Sequence, residues 1–67
     1  MWSEELQIQT KDHFEKMPFA CMKHFGDSRF GVCTLIKDEY VITEHTTNVK
    51  YKFDSVKALI EDGWAID

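Results

Sequence analysis

Residues 40–53 read YVITEHTTNVKYKF: two runs of β-branched and aromatic side chains flank the polar centre EHTTN. Val, Ile, Thr, Tyr and Phe favour strands, and a polar break between two such runs marks a hairpin. With Thr47-Asn48 as its tight turn, Thr46 faces Val49, Glu44 faces Tyr51 and Ile42 faces Phe53. A preceding turn at Asp38-Glu39 sets Leu35 opposite Ile42 and Cys33 opposite Glu44. Because strand side chains alternate between faces, one side gathers Cys33, Leu35, Tyr40, Ile42, Val49, Tyr51 and Phe53, the expected core. The other gathers Val32, Thr34, Ile36, Val41, Thr43, His45, Lys50 and Lys52, apolar at one end and partly basic at the other. This second side is either a solvated face beside a patch covered by the N-terminal helix, or a recognition surface. In the second case the apolar residues supply affinity and the Lys-His strip supplies register. Glu44 stands out among the apolar set. Unpaired there it carries a desolvation penalty or a raised pKa; near a sheet end it reaches water or a partner such as Tyr51.

Working upstream, the period of two continues through RFGVCTLI and FACMKHF, separated by the turn residues GDS. The segment PFACMKHFG also fits a short helix, with Pro18 in its first turn, Phe19, Met22 and Phe25 at helical spacing and Gly26 as a cap; the strand is the preferred expectation. Before Pro18 the spacing predicts a helix from about Ser3 to Lys16, with Ser3 as cap and Glu4 and Glu5 at the positive end of the dipole. Leu6, Thr10, His13, Phe14 and Met17 form its thin inward face, and Ile8 lies off it. Downstream, Asp54 or Ser55 caps VKALIED, Gly63 suits a left-handed helix end, and Trp64 folds back onto Leu59. The tail WAID is a candidate edge strand. The expected fold is α+β, one small domain over residues 1–67: an antiparallel meander of three to four strands with an N-terminal and a C-terminal helix packed on it.

Composition narrows the classes of function. A 67-residue chain holds one core, and chains this short bury only about 60 % of their unfolded surface, so packing, a staple or a partner must make up the difference. Apolar residues make up 43 % of the chain, with five Phe, two Tyr and two Trp, too many for a disordered tail. The net charge of −4 and a single arginine, Arg29, argue against direct nucleic-acid binding, which needs clustered cations. No run approaches the ~18 apolar residues of a membrane span, and MWSEELQ lacks the pattern of a signal peptide, so a cytoplasmic location is expected.

Chemistry-bearing side chains are scattered. Cys21, His24, Cys33 and His45 are the strongest metal candidates, but zinc sites use two close ligand pairs, and on a strand Cys21 and His24 point to opposite faces. No metal or cofactor is expected. A GDS turn that pairs Phe25 with Arg29 sets Cys21 across from Cys33, near enough for a disulfide or dithiol; otherwise both are small buried apolar residues. The sequence has no glycine-rich phosphate loop, G-x-S-x-G elbow or H-E-x-x-H, and adjacent carboxylates (Glu4-Glu5, Asp38-Glu39, Glu61-Asp62) diverge on a helix or strand. No enzyme is expected.

The function expected on these grounds is a small acidic interaction module: an inhibitor, adaptor or regulator of another protein. Its candidate contacts are the aromatics Trp2 and Trp64, the strip His45, Lys50 and Lys52, and the acidic residues Glu61, Asp62 and Asp67. A phage-type mimic of nucleic-acid charge is a sharper version, although −4 diluted by eight cations falls far below phosphate density. Two alternatives stand beside it. One is a metal or redox domain built on Cys21 and Cys33 with nearby histidines. The other is a homo-oligomer, with a homodimer as its simplest form, because a small domain with an edge strand gains from pairing with its own copy.

Overall fold

The computed structural model describes residues 1–67. In chain order the elements are α1 (Glu4–Lys16), β1 (Phe19–His24), β2 (Phe30–Ile36), β3 (Glu39–Glu44), β4 (Lys50–Phe53), α2 (Val56–Glu61) and β5 (Trp64–Ile66). Ser3 caps α1, its hydroxyl accepting from the Leu6 N–H at 3.2 Å, and extended Met17, before Pro18, ends it. Ser55 caps α2 by accepting from the Ala58 N–H at 3.1 Å, and Gly63 at φ +109° turns the chain out of it. Residues 19–24 are therefore a strand, and no helix is long and apolar enough to cross a membrane.

The strands form one antiparallel sheet in the order β4-β3-β2-β1-β5. The first four make the expected meander. After β4 the chain crosses under the sheet through α2 and returns as β5 beside β1, so WAID adds a fifth strand. Both helices pack on one side. From α2, Leu59 and Ile60 join Ala20, Met22, Cys33, Ile42 and Trp64 in the core, with Phe14 of α1, Tyr40, Tyr51 and Phe53 at its margin. The result is a two-layer slab, 29 × 29 × 16 Å across its Cα atoms, helices below and a bare sheet above.

The turns sit one residue from their expected places. Lys37 (φ 49°) and Asp38 (φ 66°) form the β2–β3 turn, so Leu35 pairs with Tyr40 and Cys33 with Ile42. Likewise Ile42 pairs with Tyr51 and Tyr40 with Phe53, because a four-residue loop, 45–48, replaces a two-residue turn. Both changes displace the pairing by two residues, and with a side-chain period of two every face assignment from β2 to β4 survives, but Leu35 and Val49, expected in the core, are exposed beyond the reach of the helices. The β1–β2 loop behaves differently. His24, not Phe25, pairs with Arg29, so the displacement is one residue: Ala20 lies opposite Cys33, and Cys21 lies opposite Val32. Cys21 and Cys33 therefore point to opposite faces. The expected cysteine juxtaposition is corrected on this ground.

Two further expectations change. Trp64, expected as an exposed anchor, is fully buried, because β5 is paired to β1 and its inward face lies under α1 and α2. The N-terminal helix does not cover the Val32-Ile36 patch; it packs against the opposite side, where Thr10 Oγ1 accepts from the Ile66 N–H at 3.2 Å and Phe14 meets Tyr40 edge-on at 5.3 Å.

Candidate functional site

With both helices on the core side, the other face of the sheet has no second layer. Phe19 is 52 % exposed, Phe30 45 %, Val32 48 % and Ile36 49 %, whereas Cys33 and Ile42, next to them in the same strands, are at 0 %. Strand alternation produces the contrast: β2 sends Phe30, Val32, Thr34 and Ile36 outward, and β1 sends Phe19, Cys21 and Lys23. On this face Val41 is nearly covered, and Ala65, opposite Lys23, wholly so. Phe19, Phe30, Val32 and Ile36 thus form one exposed apolar patch.

A shallow groove of about 440 Å³ crosses the face, lined by Cys21, Phe30, Val32, Thr43, His45 and Asp67 among others. His45, exposed just beyond β3, stacks on Phe30 with centroids 4.8 Å apart and planes at 24°, forming one wall. The floor is one transverse row of the sheet. Thr43 pairs with Lys50, Val32 with Thr43 and Cys21 with Val32, and the Asp67 N–H donates to the Cys21 carbonyl at 2.9 Å. Read across, the row is Lys50, Thr43, Val32, Cys21, Asp67. Lys50 Nζ lies along it, donating to Thr43 Oγ1 at 3.3 Å.

Charge is divided between the two layers. Glu4, Glu5, Asp12, Glu15 and Glu61 lie on the helices, with Lys11, Lys16 and Lys57 to offset them. The outer sheet face carries Lys23, Lys50 and Lys52 against Glu39 and Asp67. The helices thus carry a net −2 and the outer sheet face +1, so the sheet face is mildly cationic, and the remaining −3 lies in the turns and on Glu44.

The expected contact residues fall in three places. His45, Lys50 and Lys52 are exposed together on the outer face. Glu61 and Asp62 are exposed at the end of α2, in the acidic layer. Trp2 is a half-buried strap: its Nε1 donates to the Gly63 carbonyl at 2.7 Å, its ring meets Phe25 edge-on at 5.2 Å, and Lys23 Nζ lies 4.9 Å above it. Sequence reasoning missed Phe19 and Phe30 as surface aromatics, since the β1 register was off by one residue and Phe30 was not placed on either face.

Two polar clusters are structural in their connections. Glu44 Oε2 accepts from both the hydroxyl and the N–H of Thr47 at 2.6 Å. Those bonds, the hydroxyl first, hold its carboxyl below the usual glutamate range, the opposite of what burial alone does. The carboxylate thus ties the β3–β4 loop, and no acid of raised pKa sits there. At the other end of the sheet, His24 Nε2 donates to the Asp62 carbonyl at 2.7 Å while Nδ1 faces Asp27 at 3.2 Å. Asp27 accepts from the Arg29 N–H and Nε, both at 3.0 Å, and the backbone bond leads in lowering its pKa. The Asp27-x-Arg29 spacing is local and legible; the His24–Asp62 contact, spanning 38 positions, is not.

The four candidate metal ligands are not gathered: no group of three or more His, Cys, Asp or Glu side chains is arranged to hold an ion. Burial pushes the Cys33 thiol up to about 11, which leaves it protonated and unreactive at neutral pH. Comparison with known proteins found no matching protein-family model, no matching curated protein and no matching solved structure.

Proposed function

We propose that this chain is a small non-enzymatic protein-interaction module, and that its docking surface is the open face of the sheet. One observation carries this reading: Phe19, Phe30, Val32 and Ile36 stand about half exposed on a single flat face that neither helix covers. In water such a face contributes little to folding, whereas against a second protein surface each apolar side chain removed from water is worth on the order of 1 kcal/mol or more. His45, Lys50 and Lys52 border the apolar part and supply the polar rim that sets orientation. An inhibitor, adaptor or regulator fits this design, since the surface offers complementarity and no reacting group. The separation of Cys21 from Cys33 supports the interaction reading over a dithiol redox domain.

The test uses affinity-tagged protein in two forms, the natural chain and Phe30→Asp, matched for circular dichroism and urea midpoint. Proteins retained by the natural chain, further copies of itself included, are expected to be lost from Phe30→Asp and kept by Glu15→Lys, which alters the helix layer. Equal retention by all three forms overturns the reading.

A further inference from the structure

The pairing register makes this face complementary to itself, and we infer that its occupant is a second copy of this chain, bound sheet to sheet about a two-fold axis along β2. The inference rests on the reading of that face as a protein-docking surface and names its partner. β2 is the middle strand of the five, so an axis along it exchanges β1 with β3 and β4 with β5. Every residue in a transverse row then meets the row's mirror position in the other copy.

The row Lys50, Thr43, Val32, Cys21, Asp67 has a cation at one end and a carboxylate at the other. Within one molecule these two charges lie four strand spacings apart, roughly 19 Å, too far to pair. Across the axis Lys50 of each copy meets Asp67 of the second, and Val32 meets Val32. In the neighbouring rows Phe30 meets Phe30, Lys23 meets His45, and Phe19 covers Val41. Apolar groups therefore face apolar groups through the middle, with opposite charges at both margins. An unrelated axis, across the strands instead of along them, sets Lys50 and Lys52 against their own copies.

Area and charge agree with this arrangement. The five strands hold 26 residues, which at about 4.8 Å spacing and about 3.3 Å rise outline roughly 400 Å² per copy. The pair then reaches about 800 Å², the size of a weak, transient interface. The acidic helix layers end up on the outside of the sandwich, separated by two sheets, beyond the ~8 Å screening length of physiological salt. The net charge of −4 on each copy thus opposes the association only weakly. Sheets pack face to face with strands crossing at about 30°, so the axis bisects the two β2 directions at about 15° to each, and the length of the Lys50 side chain spans the resulting offset at the margin.

Sedimentation velocity from low micromolar to near-millimolar protein is the test, with fold checked by circular dichroism. The natural chain is expected to pass from 7.9 kDa to twice that mass. Val32→Asp is expected to stay monomeric, and Thr34→Lys, a change at an already exposed polar position, does the same if Val32→Asp fails to fold. Lys50→Asp is expected to weaken the dimer about tenfold, and Lys50→Asp combined with Asp67→Lys to restore it to within about threefold. A natural chain that stays monomeric, while its capture of other proteins is still lost in Phe30→Asp, overturns the second copy and leaves the docking face standing. A dimer indifferent to Val32→Asp and Thr34→Lys overturns both. A dimer lost in both the single and the double charge variant overturns the axis along β2.

Discussion

Val32 and Cys33 are adjacent on the central strand, yet one is about half exposed and the other has no exposed surface at all. The same division runs through the sheet. Below it, Met22, Ile42, Leu59 and Trp64 are wholly or almost wholly buried and form one connected cluster; above it, Phe19, Phe30, Val32 and Ile36 have water where a second layer would be. Both faces are apolar at their centre, so hydrophobicity alone does not separate them. The separation comes from where the helices go. α1 is held below by Phe14 against Tyr40 and by Thr10 under β5, and α2 is held by Leu59 and Ile60. A 67-residue chain has side chains for one filled core, and the other apolar face stays exposed.

Unequal responses to substitution expose this division most directly. Trp64→Ala empties the largest buried side chain and is expected to cost about 4 kcal/mol, enough to unfold a domain of this size, as read from urea denaturation. Tyr51→Asp, at the core margin against Trp64, should likewise abolish the cooperative transition, whereas Lys50→Asp on the outer face should leave it within about 0.5 kcal/mol in dilute protein. Equal tolerance of the two would mean that the faces are wrongly assigned.

Gly31 probes the seam between the faces. A Cβ there meets the backbone of Thr43 across the strand pair, so Gly31→Ala must push β2 and β3 apart, at about 2 kcal/mol in the same measurement. A smaller effect concerns acid. The folded pKa values of Glu44 and Asp27 both lie below their ordinary values of 4.5 and 3.8, so each adds stability above those values that is lost as the pH falls through the folded ones. Urea midpoints should therefore drop between pH 5 and pH 3, and Glu44→Gln should flatten part of that drop. The smallest perturbation is chemical. In native protein a thiol reagent at pH 8 should modify exposed Cys21 within minutes and spare Cys33 until urea is added; simultaneous reaction of both would place Cys33 at the surface.

Much of this architecture is legible without coordinates. The caps Ser3 and Ser55, the stop before Pro18 and the turn at Gly63 are local hydrogen-bond or backbone requirements, visible in a few neighbouring residues. The outward side of Val32, Thr43 and Lys50 is also readable, but not their row: the expected turns set Val32 opposite His45 and Thr43 opposite Lys52, two residues from the observed partners. Moving a hairpin turn by a whole residue displaces the pairing by two, and alternation returns every side chain to its own face. The β1–β2 loop shows the limit of that protection. A loop of four residues where three were expected moves the pairing by one, which carried Phe19 and Cys21 to the bare side.

Sequence by itself determined both helices and the two-sided character of β2 to β4, because these follow from bonds and periodicities that span a few residues; it left residues 19–24 open between strand and helix and WAID a candidate strand. Tertiary structure alone decided that β5 pairs with β1, that Trp64 is core and that both helices choose the same face. Those outcomes depend on contacts between distant parts of the chain, such as His24 with Asp62 and Thr10 with Ile66, and their free energy is summed over the whole packed layer. No short stretch carries that sum.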